Sequence, residues 1–341
     1  TDINGTVTIS TATLDADGTF DATSGNVTFS DDGNLLVAGD VESLGTLSEN
    51  FGTVNYDGDD ARNILAGTYN NLTASGDATK TLVGAVTVNG ALTIDAGVTV
   101  DMNENTLGVT GATDIDGTLD VAGSALALNG ASDIDGTITI STGTVDADGS
   151  FDATGGNITF SDDGNLWVAG DVESLGTLTN VDFGTVTYDG AGDQGIVEDD
   201  YYSLTAGGSG TKTLGGDVTV ANDLTIDTDV TIEMDTHNLT VTNFTDIDGT
   251  LAVAGNTLIL YGESDIDGTI TISTGTVDAD GAFDGTSGMI TFAGAGELQV
   301  AGDVTSLGTL SDDFGTVTYD GATDRNIFTT DYNNLTASGD A

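Results

Sequence analysis

The sequence repeats itself with a period near 132 residues, and no other feature constrains the fold as much. Tyr56, Tyr188 and Tyr319 sit in VNYDG, VTYDG and VTYDG, at spacings of 188 − 56 = 132 and 319 − 188 = 131. Lys80 and Lys212, both in TKTL, are again 132 apart. Long repeats therefore cover residues 1–132, 133–264 and, in part, 265–341. A chain of near-copies must bury its apolar residues the same way each time. The fold must be one that grows by stacking like on like.

Inside each long repeat lie short runs such as GTITIS at 136, GNITFS at 156, GTVTYDG at 184 and GTLAVAG at 249. They alternate apolar residues with Thr, Ser or Asp and end at Gly, Asn or Asp, the pattern of short strands and turns. No stretch keeps a helical period. The 50 glycines supply tight turns. The prediction is an all-β chain: one continuous parallel β-solenoid (β-helix) with coils of about 20 residues. The copies also predict which side chains face inward. Leu35-Leu36-Val37, Leu166-Trp167-Val168 and Leu298-Gln299-Val300 hold the outer positions constant and vary the middle one. Leu166 and Val168 then face the core and Trp167 faces out.

There are 56 acidic and 4 basic residues, so 4 − 56 gives a net charge of −52. Nucleic acid and anionic membrane, which need clustered Lys and Arg, are excluded as partners. With 38% hydrophobic residues the chain is no disordered acidic tail. The absence of Cys removes disulfides and thiolate metal sites. No apolar run is long enough for a membrane-inserted helix. The opening TDINGTVTIS matches SDIDGTITIS at 132–141, and the closing YNNLTASGDA repeats residues 69–78. Both ends fall inside a repeat, so a segment of a longer protein is expected.

The motif Asp-Ile-Asp-Gly-Thr begins at Asp114, Asp133, Asp246 and Asp265. A 19-residue coil would stack Asp114 on Asp133 and Asp116 on Asp135 at ~4.8 Å. Asp246, Asp248, Asp265 and Asp267 form a second such quartet. With Ile115 and Ile134 in the core, the carboxylates point out and repel one another. A hard cation such as Ca²⁺, taking six to eight oxygens at about 2.3–2.6 Å, would relieve that repulsion. These eight aspartates are the candidate metal ligands and Ca²⁺ the candidate cofactor. The rival reading is turn chemistry, in which Asp bonds its own backbone before Gly. DADG at 15, 146 and 278 has the same shape. No copy continues into an EF-hand loop.

Acidic pairs are too abundant to single out a glycosidase-like site. The basic residues Arg62, Lys80, Lys212 and Arg325 are scattered, and Gln194 stands where a second Arg62 would be. The lone His237 corresponds to Asn105, a turn residue. No catalytic residue is expected, and no enzyme.

The stretches YNNLTASGDATKTLVGAVTVNGALTID (69–95) and YDGAGDQGIVEDDYYSLTAGGSGTKTLGGDVTVANDLTID (188–227) resemble repeats of giant bacterial surface proteins. The remainder is solenoid-like in the manner of filamentous-haemagglutinin-type adhesins. The resemblance implies an extracellular, cell-surface stalk, adhesin or fibre. The expected function is a stiff acidic scaffold that self-associates through homotypic fibre or bundle contacts and binds cations, with a cell-surface or glycan ligand as a further partner. The alternative is a carbohydrate-active or carbohydrate-binding β-helix module. A groove with residues peculiar to one copy would favour that alternative.

Overall fold

Thr137–Ile140 shows how the sequence makes its strands. It reads Thr-Ile-Thr-Ile, and Ile138 and Ile140 are fully buried while the threonines are half-buried. Alternation at period two puts one β-branched set in the core and one on the outer surface. A computed structural model describes residues 1–48, 50–179, 183–311, 313–322 and 326–338. Among the described residues the strands are two to five residues long and no helix occurs. The fold is the expected parallel β-solenoid. Arg325 lies outside the described residues.

The chain forms two compact units, Thr1–Thr179 and Asn180–Ala341. In the first unit a coil is three strands. Leu92–Ile94, Val98–Asp101 and Leu107–Val109 make one turn, and Thr113–Ile115 then pairs in parallel with Leu92–Ile94. Partners lie about one coil apart in sequence, as with Asn71 on Thr53 and Asn34 on Thr13. The first face is a nine-stranded sheet from Thr13–Ala16 to Val172–Ser174. The second face is a seven-stranded sheet from Arg62–Ile64 to Thr177–Thr179. The third runs through Gly67–Tyr69, Val86–Val88, Leu107–Val109, Ala125–Leu128, Thr144–Ala147 and Asn165–Val168. The second unit repeats this plan. Its seven-stranded sheet runs from Gln194–Ile196 to Thr309–Leu310 and its eight-stranded one from Asp200–Tyr201 to Asn334–Ala337.

The long repeat does not contain a whole number of turns. Asn165–Val168 is the counterpart of Asn34–Val37 and comes twenty strands later. At three strands per coil, 20 = 6 × 3 + 2, so counterparts land on different faces. Asn34–Val37 lies on the first face and Asn165–Val168 on the third. Within the second unit Thr185–Tyr188 and Thr316–Tyr319 likewise belong to different sheets.

The core consists of aliphatic ladders, for example Ile94–Ile115–Ile134. Each such side chain contributes about 1.5–3 kcal/mol by leaving water. Phe20, Phe151 and Phe283 are buried, and each lies at a register shift, one per long repeat. The coils meet closely at one corner of the first unit. A Cβ on Gly149 would lie 2.0 Å from the Gly130 carbonyl oxygen, so no larger residue fits there without displacing backbone. Thr113 and Ser132 face inward between Leu92 and Phe151 with unpartnered hydroxyls, as do Thr245 and Ser264 in the second unit.

Candidate functional site

The acidic motifs fold as the 19-residue spacing implies. Asp114 pairs in register with Asp133, and Asp246 with Asp265. Ile115, Ile134, Ile247 and Ile266 are fully buried, so the intervening carboxylates point outward. Seven of the eight candidate ligands are exposed and Asp246 is half-buried. Asp116, Asp135, Asp248 and Asp267 occupy the turn just past each strand. Each ladder is one rung longer than the motif indicates. Asp152 stacks on Asp133 and Asp284 on Asp265. The clue was the same spacing, 152 − 133 = 19, in a strand that begins Phe-Asp rather than with the motif.

Burial, and then the carboxylates of Asp116, Asp133, Asp135 and Asp95, push the Asp114 carboxyl above the usual range. Burial and Asp248, Asp265 and Asp267 do the same to Asp246. Asp265 is raised by burial, then by Asp267 and Asp284. The outer rungs also do turn work. Asp152 accepts from the Thr154 N–H at 2.8 Å, and Asp284 from the Thr286 N–H at 3.0 Å. Among the described residues no three acidic or His side chains are grouped so as to hold a metal ion. The ladders are thus rows of outward carboxylates at strand spacing, and a calcium ion would have to draw them together.

The buried polar groups were not visible as a set in the sequence. Tyr56 and Tyr69 meet hydroxyl to hydroxyl at 3.0 Å. The Leu65 N–H donates to Tyr56 at 3.2 Å, and Tyr69 donates to the Leu65 carbonyl at 2.7 Å. Tyr188 and Tyr201 clasp Val197 in the same way, and Tyr319 and Tyr332 clasp Phe328. The constant interval of 13 residues between partners was the available signal. Burial pushes the Tyr188 phenol up to about 12 and raises Tyr56, Tyr69 and Tyr201 as well.

Lys80 and Lys212 are fully buried. Lys80 donates to the carbonyls of Gly58, Asp60 at 3.3 Å and Asp77 at 3.0 Å. Lys212 donates to the carbonyls of Gly190 at 2.7 Å and Gly192 at 3.1 Å, and to Gln194 Oε1 at 2.6 Å. Each ammonium therefore ties a turn to the coil beside it. Burial lowers both lysines from their ordinary range, and Arg62 adds to this at Lys80. Arg62 is the register partner of Lys80 and Gln194 that of Lys212. Arg62 turns outward, with Nε on the Ala38 carbonyl at 2.9 Å and its guanidinium 3.6 Å from Asp40. His237 lies at the surface, 4.0 Å from Asp217. Trp167 faces out and is 41% exposed, between inward Leu166 and Val168.

The chain matches no protein family, no curated protein and no solved structure.

Proposed function

We propose that the chain is a structural segment of an extracellular fibre, stalk or adhesin: a stiff, repetitive, acidic scaffold. The carrying observation is the recurrence of one tyrosine clasp at the same place in each long repeat, buried in the first two and part-buried in the third. Its hydrogen bonds tie the faces of a single coil together, and buried Lys80 and Lys212 tie neighbouring coils, which suits a part whose task is to keep its shape. Coil-on-coil stacking transmits that rigidity along each unit. The likeness of residues 69–95 to surface-protein repeats supports an extracellular position. The outward aspartate ladders support cation binding, with Ca²⁺ lodged at Asp114, Asp116, Asp133 and Asp135 and at Asp246, Asp248, Asp265 and Asp267. Cations that screen these rows would also let like-charged neighbours come together as homotypic bundles. The chemistry is positional, with no catalytic step.

Two measurements test this reading. The backbone amides paired between coils should exchange slowly with solvent in both units, as a stiff scaffold requires. Fast exchange throughout either unit would overturn the scaffold. Antibodies to the chain should label intact producing cells. Labelling only after permeabilisation would overturn the extracellular assignment.

A further inference from the structure

On the third face of the first unit, the outward residues of successive coils are Thr68, Thr87, Gly108, Ala127, Asp146 and Trp167. Side-chain size falls to nothing at Gly108, to a methyl at Ala127, and rises again to the indole of Trp167. The result is a groove of about 480 Å³ lined by Thr87, Thr106, Gly108, Ala125, Ala127 and Trp167 among others. Four coil steps separate Thr87 from Trp167, about 19 Å at the usual strand spacing.

The outward residues of the groove, which spans the boundary of the first two long repeats, are not kept in the next copy. One long repeat later the counterparts of Gly108, Ala125, Ala127 and Trp167 are Thr240, Thr257, Ile259 and Gln299. The inward neighbours stay the same: Leu107, Leu126, Val145 and Leu166 become Leu239, Leu258, Val277 and Leu298. Core packing therefore does not account for the outward differences. Nor does the backbone demand glycine at 108. A Cβ there would meet open space, and the residue has no left-handed φ. Glycine weakens a strand and often marks where a ligand approaches the sheet closely. The sole tryptophan of the chain stands two coils beyond Ala127, with Asp146 between them, half in solvent on a strongly acidic protein.

We propose that this groove binds a neutral oligosaccharide, one sugar ring stacking on Trp167 and the chain lying over Ala127 and Gly108. An indole offers a flat apolar face with a polar N–H, and the Thr87 and Thr106 hydroxyls can both donate and accept. That combination suits a ligand with apolar ring faces and hydroxyl edges. An extended peptide fits less well. The strands Val86–Val88, Leu107–Val109 and Ala125–Leu128 are hydrogen-bonded to one another through the floor, so it has no open edge for an added strand. Acidic glycans are repelled by the net charge of −52.

Because Trp167 is the only tryptophan, its fluorescence reports the site directly. The intact chain is titrated with hexamers of β-1,4-linked glucose, β-1,4-linked N-acetylglucosamine and α-1,4-linked glucose, and with polygalacturonate. At least one neutral hexamer should shift the emission saturably, and polygalacturonate should not. Ala127→Ile, which installs the residue found at Ile259, should weaken binding at least tenfold with unchanged circular dichroism. Trp167→Gln, scored by calorimetry, should do the same. No saturable response to any neutral hexamer overturns the proposal. So does an emission shift that depends on protein concentration without sugar and vanishes in Ala127→Ile, which would make the groove a contact between copies. The scaffold reading is scored by hydrogen exchange and survives either result.

Discussion

A phenol buried against another phenol is costly to ionise, because the charge would sit away from water beside its own donor. Tyr56, Tyr69, Tyr188 and Tyr201 are all raised for this reason, burial being the largest cause. In an alkaline absorbance titration, fewer than the 8 tyrosines should ionise near pH 11, with the rest appearing only as the fold opens. Tyr201→Phe should remove one early obstacle and one clasp together. It strips the donor to the Val197 carbonyl and costs about 1–3 kcal/mol in denaturant unfolding. Full ionisation of all eight in the folded protein would contradict the clasp. Much at this scale was legible beforehand. The copies identified Leu166 and Val168 as inward and Trp167 as outward because substitution tolerance tracks exposure. Lys80 was not placed, since a charged residue reads as solvated until the carbonyls that surround it are known. Those carbonyls come from Gly58, Asp60 and Asp77, up to 22 residues away, and have no sequence signature.

At the level of strands, the aspartate ladders set up an unusual response to acid. Asp114, Asp246, Asp265 and Asp278 are raised above the ordinary value of 3.8, in each case by burial first and then by neighbouring carboxylates. A raised carboxyl stabilises the fold fully below its unfolded value, and the contribution is lost as pH rises through the higher folded value. Melting temperature should therefore increase from about pH 7 to about pH 4.5. Asp21 and Asp217 act oppositely, being lowered by bonds from Thr23 and Asn238, and they weaken the fold only on further acidification. Asp133→Asn should raise stability at neutral pH by roughly 0.2–1 kcal/mol, the worth of a cross-strand pair, and should flatten the rise. A parent protein that melts lower at pH 4.5 than at pH 7 would refute the repulsive ladder. The stacking of Asp114 on Asp133 was readable from a 19-residue interval. The division of each coil into three strands was not, because strands of two to five residues give no periodicity long enough to count.

The charge of the whole molecule also has a predictable consequence. A net −52 over 341 residues is 52 ÷ 341 × 20, about three charges per coil of about 20 residues. At ~4.8 Å per coil that is one charge every ~1.6 Å, close to the about 1.7 Å of double-stranded DNA, which condenses counterions. Ca²⁺ should raise the melting temperature more than Na⁺ at matched ionic strength, since an ion bound only by the folded form stabilises it. Replacing Asp114, Asp116, Asp133 and Asp135 together by Asn should remove much of the excess. If Ca²⁺ helps parent and quadruple variant equally, the ions form a diffuse atmosphere and the calcium assignment falls. The twenty-strand count has a different outcome. Dividing by three leaves two over, so a chain that continues in this way carries each surface feature to a new side with every long repeat and returns to the start after three. Only the features that the copies share come round in this way; the groove beside Trp167 does not.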